Sequence, residues 1–162
     1  MLPSADRPRL LVPLEAGRAT ATALQQLGHG TRASRSDRLA LGVRRDVPAG
    51  DLPALVLEAH LARLLDRDDL VAAVALGPPR PNRKPVLMLA APSGAVAAYA
   101  KVAWNPLTTA LVRTEVETLA AYTRHPPASF AVPRVLASGR WNGHDVATVS
   151  ALPHPRWRPG RR

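Results

Sequence analysis

The sequence contains no cysteine, which excludes disulfides, thiolate catalysis and cysteine-ligated zinc. Aromatic residues are scarce, at 4% of the chain against 46% hydrophobic residues. Any core must therefore be made of Ala, Val and Leu, with less buried area per residue than a Phe-rich core. No run of 18 apolar residues occurs, so no transmembrane helix is expected. The opening MLPSADRPRLLVP lacks the long apolar stretch of a secretory signal, and a cytoplasmic protein without membrane contact is the expectation. Acid is the scarcer charge: 12 Asp and Glu face 22 Lys and Arg, leaving a net +10. Such a charge suits a nucleic-acid or anionic-ligand surface. Here, however, the arginines are dispersed and not interleaved with the aromatics that single-strand binders need. The Ala/Arg/Pro/Leu bias explains much of the charge as composition, so nucleic acid is not the expected partner. What the chain does have is punctuation, with 17 prolines and 10 glycines scattered along its 162 residues.

Residues 1–69 read as a helical N-terminal extension. A short extended piece at Arg9–Val12 precedes an Ala-rich helix over Glu15–Leu27, a weaker helix over Thr31–Val43, and a better one over Asp51–Asp66. Leu57, Leu61, Leu64 and Leu65 give that last helix one apolar stripe, and His60 beside it reads as structural. Arg32, Arg35 and Arg38 in the second helix, with Arg44 and Arg45 just after it, form a basic face that reads as a solvated helix surface. The pattern changes after Asp69. Leu70–Leu76 reads as a buried strand, Gly77–Lys84 as a loop, Val86–Ala91 as a second strand, and Pro92-Ser93-Gly94 as a tight turn into the strand Ala95–Trp104. A helix follows, with Asn105 as its cap and Pro106 at its first position. Arg134–Ser138 and Asp145–Ser150 are strands around the turn Arg140–His144. The expected fold is α+β: a five-stranded antiparallel sheet with one helix inserted after its third strand. The terminal HPRWRPGRR, residues 154–162, is expected to be a disordered basic tail.

One charge stands out within this frame. Lys101 is the only charged residue between Pro85 and Val112, and period-two alternation places it on one strand face with Tyr99 and Ala103. On the following helix Glu115 falls near the centre of an apolar arc of Leu111, Leu119 and Tyr122, bordered by Val112 and Val116. A carboxylate there is costly unless paired, and Lys101 is the cation on offer. Glu117 points away, toward Arg113 and Arg124, where an exposed pair with Arg113 is worth a few tenths of a kcal/mol, roughly. A strand lysine facing a helix glutamate is the pair with which protein kinases hold nucleotide phosphates. In the loop before it, Arg80, Arg83 and Lys84 read either as charges that contact phosphate or as a solvated loop, while prolines at 78, 79, 81 and 85 have no N–H to give.

The segments PNRKPVLML, AYAKVAW, LVRTEVETLAAY, VPRVLASGRW and VATVSALP together resemble the N-terminal lobe of the aminoglycoside phosphotransferase-like kinases, a branch of the protein-kinase-like fold, over about residues 70–153. The resemblance implies Asn82 in the segment that replaces a glycine-rich loop, Lys101 as the phosphate-binding lysine and Glu115 as its partner. It implies Ser150, Ala151 and Leu152 in the hinge whose backbone meets adenine. The implied cofactor is ATP, bound weakly or as a vestige. The family's HxDxxxxN-type loop and magnesium aspartate belong to a C-terminal lobe, and no HxD motif follows Val149. The chain is therefore expected to be truncated before that lobe and inactive alone. Magnesium would enter only with a C-terminal lobe supplied by a partner chain. Two alternatives stand beside this: a small basic α+β module binding nucleic acid or an acidic partner, and one half of a split kinase.

Overall fold

A computed structural model describes residues 10–12, 17–27, 57–76 and 80–152. These form an α+β arrangement of three helices and one six-stranded antiparallel sheet. The strands are β1 (Leu10–Leu11), β2 (Val71–Ala75), β3 (Val86–Ala90), β4 (Val96–Val102), β5 (Val135–Trp141) and β6 (His144–Ser150), in the spatial order β1-β2-β3-β4-β6-β5. The helices are α1 (Gly17–Leu27), α2 (Leu57–Leu65) and α3 (Pro106–Arg124). No helix among the described residues is long and apolar enough to cross a membrane.

The sheet has one strand more than the sequence predicts. Leu10 pairs with Ala75 and Leu11 with Val74, so the extended piece near the N-terminus becomes the edge strand of the sheet, and residues 1–69 are not helical throughout. Two residues carry no period, which is why alternation cannot announce such a strand. The expected helix over Thr31–Val43 and the start of the one at Asp51 lie outside the described residues.

Register sorts the side chains onto two faces. On one, Leu87, Leu89, Ala98, Ala100, Val102 and Val146 form a buried cluster closed by Leu61 of α2, with Leu57, Leu64 and Leu65 packed around it. On the other, Ala73, Met88 and Ala90 meet Ala19 and Ala23 of α1. Farther along that second face, Ala103 and Ala147 meet Val112 and Val116 of α3. Burial on both faces explains why β3 is an unbroken apolar run, VLMLA. At the far edge β5 alternates between half-buried and exposed residues, as a strand covered on one side does.

Turn chemistry fixes the register. Asn142 and Gly143 both take positive φ, 47° and 80°, which gives β5 and β6 the two-residue Asn-Gly turn that matches strand twist. The turn is thus tighter than the expected Arg140–His144, and both strands run into it. Helix α3 begins with a complete capping box. The Asn105 side chain accepts from the Thr108 N–H at 2.8 Å, and Thr108 Oγ1 accepts from the Asn105 N–H at 3.0 Å. Such a cap contributes about 1 kcal/mol, and with Pro106 it sets where α3 starts and so which residues face the sheet.

Candidate functional site

Strand β4 carries Lys101 on the face shared with α1 and α3, between Tyr99 and Ala103. From α3, Glu115 reaches the same point, and the Lys101 Nζ donates to its Oε1. The second carboxylate oxygen is also engaged: Lys84 Nζ lies 3.7 Å from Oε2. One carboxylate therefore holds two ammonium groups, one per oxygen, and the cluster is net positive. All three side chains stay in reach of solvent, 20% exposed for Lys84, 24% for Lys101 and 30% for Glu115. Ion pairs at such exposure contribute about 1 kcal/mol or less. Their value here is placement: two cations are held side by side and open to an anion.

The loop that bears Lys84 is tied down from α3. Arg83 N–H donates to the Arg80 carbonyl at 3.0 Å and closes a turn with Pro81 and Asn82 at its corners. The Trp104 indole N–H donates to the Arg83 carbonyl, and Asn105 Nδ2 donates to the Pro81 carbonyl at 3.2 Å. Where the loop runs into β3, the Val102 N–H donates to the Pro85 carbonyl at 3.3 Å. Strand and helix thus both grip the loop between which Lys84 projects.

The residues expected at the site are distributed as follows. Lys101 and Glu115 meet. Asn82 shares the loop of Lys84 but stands exposed at the corner of its turn. Ser150 pairs with Ala98, on the face opposite Lys101 and about 10 Å along the strand from it. The Ser150 Oγ accepts from the Arg134 N–H at 2.9 Å, which fixes the end of β6 to the lead-in of β5. Ala151 and Leu152 follow that end, Ala151 half-buried and Leu152 exposed.

Two expectations about α3 need correction. Leu111 and Tyr122 are exposed, not inward; the buried positions are Thr108, Val112 and Leu119, so the packed face is rotated toward Val112 and Val116 and Glu115 lies at its rim. That rim position lets one carboxylate meet both Lys101 on the sheet and Lys84 on the preceding loop. Arg113, expected to pair with Glu117, instead donates to Asp145 Oδ2 at 2.6 Å, and Arg140 Nε lies 3.5 Å from Oδ1. Asp145 is the better partner because it is fixed on β6 and its side chain is only 14% exposed. The bond to Asp145 raises the Arg113 pKa further above its ordinary value.

Sequence reasoning missed two contacts. Nothing in GPPRPNRK separates Lys84 from its neighbouring cations. The other is Tyr99, whose hydroxyl donates to the Gln26 side chain on α1 and whose pKa is pushed up by burial. Alternation puts Tyr99 on the Lys101 face, but no sequence signal links it to residue 26. Open grooves of about 440 and 350 Å³ flank α3 on the side of Arg113, and neither is lined by Lys101 or Glu115. Among the described residues no cluster of three or more His, Asp or Glu could hold a metal ion. In comparisons with known proteins the chain matches no family model, no curated protein and no solved structure.

Proposed function

We propose that residues 70–153 are the phosphate-holding lobe of a phosphotransferase-like protein related to the aminoglycoside phosphotransferase-like kinases, whose reaction is ATP-dependent phosphoryl transfer to a small-molecule hydroxyl. The observation that carries this reading is the Lys101–Glu115 pair between β4 and the helix that follows it. The Asn105 cap supports it, because it sets the phase that brings Glu115 to Lys101. Lys101 would neutralise phosphate oxygens and Glu115 would hold its ammonium in place. Lys101 and Glu115 can hold a phosphate but offer no base for the acceptor hydroxyl, so binding, and no transfer, is assigned to this pair.

Titration calorimetry of the chain with ATP tests the reading. Binding that falls about tenfold or more in Lys101→Ala is expected, the loss of one charge-assisted contact. Equal affinity in the two proteins would remove the assignment. Phosphoryl transfer or ATP turnover by the chain alone, above the Lys101→Ala control, would contradict the division between binding and chemistry. The basic-module alternative predicts instead steeply salt-dependent DNA or RNA binding that Lys101→Ala leaves intact. Its arginines, Arg32, Arg35 and Arg38, lie outside the described residues.

A further inference from the structure

Two observations, taken together, say which part of a phosphate ligand this site can read. The first is the doubled cation. Lys84 and Lys101 lie on opposite oxygens of Glu115, and both are partly open to solvent. Two ammonium groups held by one carboxylate suit a ligand that carries several adjacent anionic oxygens, because each lysine can take its own phosphate while Glu115 keeps both oriented. The second is the roof over the neighbouring sheet surface. On the face of Lys101, its strand neighbours two residues away on either side are Tyr99 and Ala103. Ala103 is 1% exposed, beneath Val112 and Val116 of α3. Tyr99 lies against the cluster formed by Ala19 and Ala23 of α1 with Met88 and Ala90, and its hydroxyl is tied to Gln26. The apolar sheet surface on which a flat base would lie next to Lys101 is therefore already occupied by helices of this chain. Beside that covered surface, Lys84 and Lys101 keep part of their side chains open to solvent.

We infer that the Lys84–Lys101 site takes a polyphosphate chain and does not read a base: inorganic tripolyphosphate, ATP and GTP are equivalent ligands. The inference rests on the phosphate-holding role proposed above and narrows it to a class of ligand. Lys84 is then a second binding residue of the site, and α1 is the element that denies the base its surface.

The test is calorimetric titration of the full chain with tripolyphosphate, ATP and GTP at one fixed ionic strength, repeated for Lys101→Ala and Lys84→Gln, with circular dichroism to establish that each variant is folded. The expected result is three affinities within about threefold of one another, all falling about tenfold or more in Lys101→Ala and by a similar factor in Lys84→Gln. ATP binding about tenfold or more tighter than tripolyphosphate, or than GTP, would overturn the inference. Sensitivity of that binding to Lys101→Ala would leave the phosphate-holding role standing. Affinities unchanged by Lys84→Gln would also overturn the inference, since one lysine would then suffice. Absence of binding by all three ligands, or binding indifferent to Lys101, would remove the functional reading and the inference with it.

Discussion

The indole N–H of Trp104 donates to the carbonyl of Arg83, and this bond ties the residue before the α3 cap to the residue before Lys84. A half-exposed tryptophan therefore acts on the lysine site without touching it. Trp104→Phe keeps the ring and deletes the donor. Stability should fall by about 1 kcal/mol, the net worth of one hydrogen bond. The amides of Arg83 and Lys84 should exchange with solvent faster, while those of β3 stay protected. Unchanged exchange across the loop would show that Asn105 and Val102 hold it without the indole.

Glu115 separates two like charges, so its removal has a signature beyond lost stability. In Glu115→Gln, Lys84 and Lys101 face each other without the carboxylate between them. The variant should be destabilised by about 1 kcal/mol in low salt and recover part of that loss as salt screens the repulsion. Urea denaturation at low and high ionic strength measures it. A salt dependence equal to that of the native chain would mean the lysines swing apart once released.

Gly94 predicts a different kind of failure. Its φ is +87°, and a Cβ built there would stand 2.9 Å from Thr22 Oγ1 and 3.1 Å from the Arg18 carbonyl oxygen. The Thr22 hydroxyl also lies 3.1 Å from the Gly94 carbonyl oxygen. Gly94→Ala adds backbone strain at a turn and pushes against helical backbone, which cannot yield as a flexible side chain can. A loss of about 1–3 kcal/mol is expected, with amides of α1 losing protection before those of α3. Equal loss of protection in both helices would refute that order.

His60 makes stability depend on pH. Burial, then the nearby Arg63, lowers its pKa below the ordinary 6.5. Its Nε2 is buried and finds no hydrogen-bond partner among the described residues. The folded chain therefore favours neutral imidazole. This contribution to stability is whole above the ordinary value and declines as pH falls through it, because the unfolded chain takes up the proton first. Thermal unfolding from about pH 8 to about pH 5 should show a drop in Tm that His60→Gln reduces. A drop of the same size in the variant would place its origin elsewhere.

The parts of this fold legible in the sequence are those in which one period dominates. Alternation across Ala98–Trp104 puts Lys101 opposite the buried Ala98, Ala100 and Val102, and Asn105-Pro106 marks the start of α3. Helical phase turns Glu115 toward the sheet side of α3, but phase alone centres the packed face on Glu115, among Leu111, Leu119 and Tyr122, where the structure places it at the rim. The position of the sheet relative to α3 decides which flank is covered, and that is a tertiary fact. The extended piece at Arg9–Val12 is legible, but its pairing with β2 and the Tyr99–Gln26 contact escape for a related reason. Each joins residues far apart in the chain, and neither leaves a local pattern. Lys84 was visible only as one cation among several, because the bonds that select it run from Trp104 and Asn105 to backbone carbonyls, which have no sequence signature.

The pairing of Leu10 with Ala75 also bears on how the chain acquires its form. Ribosomal synthesis delivers β1 well before β2, its sheet neighbour among the described residues. β2 in turn pairs with β3 through a register that runs from Val71 opposite Ala90 to Ala75 opposite Val86. The local hairpins β3–β4 and β5–β6 close over short loops at small entropic cost, whereas β1 must close a long one. The order of emergence is thus the reverse of the order of assembly at this edge. Strand β1 leaves the ribosome before its partner and is expected to dock after the centre of the sheet has formed.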